Sequence, residues 1–202
     1  MRAGITLSRL DQVAVLAFDH PSGIPRLSVA VVQSLARHLE ALATLKSCVG
    51  VVITGSEKAF CAGADIEEVA KLTAKEARAF TDCGQATMDR IERFPKPVVA
   101  AIQGHCIGGG FDLALACHAR VAAPDARFAH RGATLGIITG WGGTQRLPRL
   151  IGRARSEEIF LTGITVTAEE AMRVGLVRRV VPPEELVSAA KRMVHAAAKP
   201  AA

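Results

Sequence analysis

Apolar residues follow two alternating rhythms along the chain. Short β-branched runs predict buried strands at 5–7, 13–18, 49–54, 98–102, 120–123 and 176–181, the first two joined by a tight turn around Asp11. Between them the apolar spacing is helical. Ser28 is placed to cap a helix carrying Val31, Val32, Leu35, Leu39 and Leu42 on one face. Thr73 and Glu76 form a capping box, so a helix is predicted over 75–91, until FPKP stops it. Further helices are predicted at 111–116, 144–150, 155–161 and 168–173, and a last one from Glu184, where Pro182 and Pro183 suit a helix start. No linker or low-complexity stretch interrupts this alternation, which reads as one α/β domain.

Composition narrows the class. The 202 residues are 50% hydrophobic and 22% charged, which fits one sizeable core and excludes disorder and a collagen-like fibre. No apolar stretch reaches the roughly 18 residues of a membrane span, and Arg9 and Asp11 interrupt the place of a signal segment. A cytoplasmic protein with no membrane partner is expected. Five cysteines without a CxxC pair fit reduced thiols, with no metal site expected. Residues 1–119 hold 12 basic and 12 acidic side chains, and residues 120–202 hold 13 and 7, so the net charge of +6 lies wholly in the later part. That part suits a nucleotide phosphate, a nucleic acid or an acidic subunit surface, or is simply a solvated arginine-rich face.

Two segments echo each other: VVITGSEKAFCAGAD at 51–65 and VVAAIQGHCIGGGFD at 98–112. Each is a strand, a loop with Cys-x-Gly, and a helix start with an aspartate. Side by side, such loops would aim backbone N–H groups at one oxygen, the arrangement that stabilises an enolate or a tetrahedral oxyanion. Alternatively, the glycines only turn the chain tightly. Walker, dinucleotide-binding and GxSxG patterns are absent from the sequence.

The strings EKAFCAGADIEEV, VVAAIQGHCIGGGFDLALACHARVAA, GWGGTQRLPRLIG and LTGITVTAEEAMRVGLVRRVV resemble the enoyl-CoA hydratase/isomerase (crotonase) family, in order and with similar gaps. The resemblance covers nearly the whole chain. It implies an α/β spiral of repeated ββα units over 1–181, with 182–202 the start of a shortened C-terminal helical region. Homotrimers or hexamers are implied, as is an acyl-CoA or enoyl-CoA thioester as partner. Coenzyme A then arrives as part of the substrate, with no permanently bound cofactor. A binder of acyl-CoA or RNA without turnover is the alternative class, although nucleic acid is not the expected partner.

By resemblance, the oxyanion donors are the N–H groups of Ala64 and Gly109, flanked by Gly63, Asp65 and Gly108. Ala62 and Ile66 match positions that meet the adenine end of coenzyme A, and Ser22, Gly23 and Ile24 match a second cofactor loop. That loop departs from the family's Asn-Ala-Leu by reading Pro25, Arg26 and Leu27. Arg26 is placed either to reach a phosphate or to stand in solvent.

The family's hydratases share proton chemistry between two glutamates, and here those positions hold Asp112 and Gly132. The usual two-glutamate mechanism is therefore not available. His130 is the foremost substitute for acid–base work, against the alternative of a histidine bonded to backbone. Glu67, Glu68, Arg131 and His105 are the other neighbours. Cys61 and Cys106 lie in loops feeding helix starts, where a thiolate is favoured, but buried packing is their commoner use. Trp141 either walls the acyl pocket and restricts chain length or plugs core. One-carboxylate isomerisation or decarboxylation is the alternative to hydration.

Overall fold

The computed structural model of the protein describes residues 3–198; the terminal AAKPAA, apart from its first two alanines, lies outside the described residues. β1 (Gly4–Leu10) and β2 (Val13–Asp19) pair antiparallel around Asp11 and Gln12, whose φ angles of 46° and 65° match the strands' twist. α1 (Val29–Thr44) begins at Ser28, whose side chain accepts the Val31 N–H. It buries the five residues of its apolar stripe, Val31, Val32, Leu35, Leu39 and Leu42. At about 1.5–3 kcal/mol for each large apolar side chain, that burial sets which face turns inward.

Three successive units then repeat a strand, a second short strand and a helix. The first is β3 (Gly50–Thr54), β4 (Ala59–Cys61), α2 (Ile66–Val69) and α3 (Ala74–Glu92), the last with both bonds of the Thr73–Glu76 capping box. The second is β5 (Val98–Ile102), β6 (His105–Ile107) and α4 (Gly109–Ala116). The third is β7 (Ala119–Ala122), β8 (Arg127–Ala129), α5 (Gly132–Leu135), α6 (Gly143–Ile151) and α7 (Arg153–Thr162). β9 (Val166–Thr167), α8 (Ala168–Arg173), β10 (Arg179–Val180), a 3-10 turn at Pro183–Glu185 and α9 (Leu186–Ala198) close the described chain.

Each unit feeds two sheets. One is ordered β1-β2-β3-β5-β7-β10 and the other β4-β6-β8-β9. Among the described strands the β1–β2 and β8–β9 pairs are antiparallel and the other pairs parallel. The larger sheet is apolar on both faces, because each face is covered. Leu16, Val51, Ile53, Val98, Ala100 and Ile102 join the main core, whereas Val13, Val15, Val52, Val99, Ala101 and Val121 meet Leu186, Ala189, Ala190 and Val194 of α9. Among the described residues no helix is long and apolar enough to cross a membrane.

Two expectations change. The strand predicted at 176–181 keeps two residues, because the Leu176 carbonyl accepts from Arg120 Nε and the Val177 N–H donates to Ala171. Those backbone groups are committed before the ladder begins. The last helix starts as the 3-10 turn and becomes α-helical at Leu186.

Candidate functional site

The two echoed segments lie strand against strand in both sheets. Val51 pairs with Val98 in the larger sheet, and Cys61 with Cys106 in the smaller. Their loops turn at Gly63 (φ 93°) and Gly108 (φ 52°), conformations that side chains resist. Hydrogen bonds hold the flanking groups: Leu27 N–H to Gly63 O at 2.8 Å, Asp65 N–H to Leu27 O at 3.2 Å, and Gly108 N–H to Ala129 O at 2.9 Å. The N–H groups of Ala64 and Gly109 donate to no other group among the described residues. They are close neighbours: a Cβ built on Gly109 would lie 3.6 Å from the Ala64 nitrogen, and one on Gly63 would lie 3.2 Å from the Gly109 nitrogen. Gly109 is also the first residue of α4, where the helix dipole favours negative charge.

Asp112 follows three residues later, facing the same side of α4 as Gly109. It is fully buried, and burial raises its pKa to about 6 against the opposing pull of the Thr139 hydrogen bond and the Arg146 charge. The Thr139 hydroxyl donates to Asp112 Oδ2. Across from the other oxygen, Oδ1, stands His130 Nε2 at 3.4 Å, and neither of those two atoms has a hydrogen-bond partner among the described residues. The imidazole is stacked on Phe111 with centroids 4.9 Å apart and lies 4.8 Å from the Phe160 ring. Burial there lowers its pKa to about 4, so it is neutral at pH 7. The neutral imidazole therefore stands beside the carboxylate without adding charge at pH 7.

Arg146, also buried, reaches Glu92 Oε2 at 2.9 Å through Nε and Asp89 Oδ1 at 2.7 Å through Nη2. Its Nη1 donates to the Trp141 carbonyl at 2.8 Å. It thereby pins the GWGG turn to α3.

A cavity of about 400 Å³ opens over these groups. Of the residues singled out from the sequence, Ala62, Gly63, Ala64, Ile66, Gly108, Gly109, Asp112, His130, Arg131, Gly132 and Trp141 line it. Ser22, Gly23, Ile24, Arg26 and Asp65 do not. Asp65 caps α2 by accepting the Glu68 N–H at 3.3 Å. The Gly23 carbonyl accepts from Ser56 at 2.6 Å, which ties that loop to the β3–β4 turn, and Arg26 lies 3.9 Å from Glu67.

Several sequence alternatives resolve. Glu68 accepts the Val29 N–H at the start of α1, so its carboxylate has a structural partner. Cys61 and Cys106 are fully buried, and burial pushes the Cys61 thiol up to about 12 and the Cys106 thiol well above its usual range. Both thiols are thus held in the protonated form, away from solvent. At Gly132 a Cβ would lie 2.3 Å from the Ile137 carbonyl, so backbone fills the space where a side chain would start. Thr139 carried no motif of its own; its contact with Asp112 spans 27 positions and exists only in the fold. Ile66, Leu135, Ile137 and Ile138 are exposed at the cavity's rim, and no trio of His, Cys, Asp or Glu among the described residues is grouped to hold a metal ion.

The family model described as Enoyl-CoA hydratase/isomerase matches residues 9–202. The chain is 40% identical to a crotonyl-CoA hydratase of Syntrophomonas wolfei over 190 residues, which cover 94% of this chain and 73% of that protein. It is 35% identical to a short-chain-enoyl-CoA hydratase of Clostridium acetobutylicum over 192 residues, 95% of this chain and 74% of that one. The crystal structure of an enoyl-CoA hydratase from Bacillus anthracis superposes with a TM-score of 0.91 at 38% identity, covering 96% of this chain and 76% of its own. The chain thus spans about three-quarters of the length of these relatives.

Proposed function

The chain belongs to the enoyl-CoA hydratase/isomerase family and is an enzyme of coenzyme A thioesters; we propose that it adds water across the double bond of a 2-enoyl-CoA. One observation carries this reading. Two backbone N–H groups without acceptors among the described residues, on Ala64 and Gly109, lie beside a buried acid, Asp112, whose pKa is raised towards neutrality. Hydration is also the activity for which the two relatives are named.

In this reading the thioester oxygen sits between the two N–H groups. Water attacks Cβ, the double-bond electrons move through Cα to the thioester oxygen, and the oxyanion forms against donors worth roughly 3 kcal/mol each. The proton released by the water goes to Asp112 and then to Cα as the enolate collapses, so one water is added and Asp112 returns to its starting state. Both oxygens of Asp112 are buried, and Oδ2 holds the Thr139 hydroxyl, which borders the cavity. The proton therefore passes through Thr139, which gives its own proton to Oδ2 as it accepts another. His130 acts through Asp112 as a neutral partner behind Oδ1.

The backbone at Gly132 favours a second reading, enolate chemistry with one acid, such as double-bond isomerisation or decarboxylation. Crotonyl-CoA incubated with the protein and with Asp112→Asn separates the two. Hydroxyacyl product formed only by the unsubstituted protein supports hydration. Tight binding without water addition, together with enzyme-dependent exchange of the Cγ protons in deuterated water, as a dienolate requires, supports the second reading.

A further inference from the structure

Trp141 stands between two cavities. On one side it lines the 400 Å³ cavity over Ala64 and Gly109; on the other it lines one of about 480 Å³ that is walled by Gln85, Glu92, Arg93, Gln145 and Arg149. The indole is 6% exposed and wedged between two glycines. A Cβ on Gly84 of α3 would lie 2.1 Å from its Nε1, and one on Gly109 would lie 2.8 Å from its Cζ3. Phe80 meets the ring edge to face with centroids 5.1 Å apart, and the Arg146 bond to the Trp141 carbonyl fixes the backbone behind it. Glycine at 84 and 109 thus makes room for the largest side chain, and that side chain fills the space between α3 and the start of α4.

We propose that Trp141 is the end wall of the acyl site and limits the substrate to short acyl chains. This inference rests on the acyl-CoA reading above. An oxygen held by the Gly109 N–H fixes the thioester carbon beside the indole edge, so an acyl chain meets the ring within its first few carbons. Beyond the ring lies a cavity bordered by Glu92, Arg93 and Arg149, which offers a long alkyl tail charged groups in place of apolar contact. Each methylene that a rigid apolar wall refuses costs about tenfold in selectivity.

The test is binding of unreactive saturated thioesters, so that it does not depend on turnover. Dissociation constants for butyryl-CoA, octanoyl-CoA, decanoyl-CoA and free coenzyme A are measured by calorimetry on the unsubstituted protein, Trp141→Phe and Trp141→Ala. Butyryl-CoA is expected to bind the unsubstituted protein at least tenfold more tightly than decanoyl-CoA, and Trp141→Phe, which keeps an aromatic core residue, narrows that ratio. Trp141→Ala, where it folds, abolishes it. Equal affinity for butyryl-CoA and decanoyl-CoA in the unsubstituted protein overturns the wall, as does a ratio unmoved in Trp141→Phe. If no thioester binds more tightly than free coenzyme A, the acyl-CoA reading itself fails and this proposal falls with it.

Discussion

His130 Nε2 lies 3.4 Å from Asp112 Oδ1, and neither atom has a hydrogen-bond partner among the described residues. Burial drives their proton affinities in opposite directions: Asp112 rises to about 6 and His130 falls to about 4. At neutral pH the pair therefore carries a single negative charge, on the carboxylate.

The pair gives the protein's stability a pH signature. The folded state keeps a proton on Asp112 up to pH 6, whereas the unfolded chain loses it near pH 4, so the cost of burying the carboxylate is full above pH 6 and vanishes as pH falls to 4. His130 behaves oppositely: its cost is absent above pH 6.5 and grows as pH falls to 4, where the unfolded imidazole is charged and the folded one resists protonation. Thermal melts are expected to show that Asp112→Asn loses stability relative to the unsubstituted protein as pH drops from 6.5 to 4. His130→Phe, which keeps the aromatic stack, gains relative stability over that window. Parallel melting curves for all three proteins would contradict the assigned shifts.

Activity should follow Asp112. Because its charged form accepts the proton from water, kcat/KM for crotonyl-CoA is expected to fall below about pH 6. Asp112→Asn is expected to lose about 10²- to 10⁴-fold in kcat. A rate that is flat from pH 5 to 8 would remove Asp112 from the proton path.

Thr139 tests that path from its other end. Thr139→Val takes the hydroxyl from Oδ2, and since that bond lowers the Asp112 pKa, the acid limb should move to higher pH. A fall of about tenfold or more in kcat should accompany it. Thr139→Ser restores both. Rate and pH limb unchanged in Thr139→Val would leave the hydroxyl a packing contact only.

Restoring an acid at the second position is expected to fail. Gly132→Glu must seat a Cβ 2.3 Å from the Ile137 carbonyl, so the loop from Gly132 to Gly140 has to move. The variant should lose about 1–3 kcal/mol of stability by urea unfolding and gain no hydration rate. A faster enzyme of unchanged stability would show that the loop yields freely.

The donor pair depends on a glycine that cannot be replaced quietly. Gly63→Ala places a methyl group on a residue at φ 93°, 2.9 Å from the Ile107 carbonyl and 3.2 Å from the Gly109 nitrogen. Displacing both donors should cost about 10²- to 10³-fold in kcat while the dissociation constant for free coenzyme A stays within a few fold. Full activity in Gly63→Ala would argue against an oxyanion held there.

Local signals specify much of this molecule. The Ser28 cap and the Thr73–Glu76 box set two helix starts, and five apolar positions at helical spacing are the five that α1 buries. Such features act within one turn, so neighbours in sequence suffice to specify them. The echo of 51–65 in 98–112 likewise announced two alike loops, and the resemblance supplied the order of the spiral.

The second sheet was invisible because β4, β6, β8 and β9 span only two or three residues, too few for an alternation to register. The chemistry was hidden for a related reason. Asp112 and Gly132 could be read as two departures from a family pattern, but the Thr139 hydroxyl on one carboxylate oxygen, the His130 ring across from the other and the Ile137 carbonyl in the space of a missing side chain come from separate parts of the chain. Proton affinity depends on burial and on such distant partners, which composition and spacing do not encode. The residues proposed for catalysis are given by the sequence; packing decides which of them line the cavity, which proton affinities burial shifts, and which groups from distant parts of the chain stand beside them.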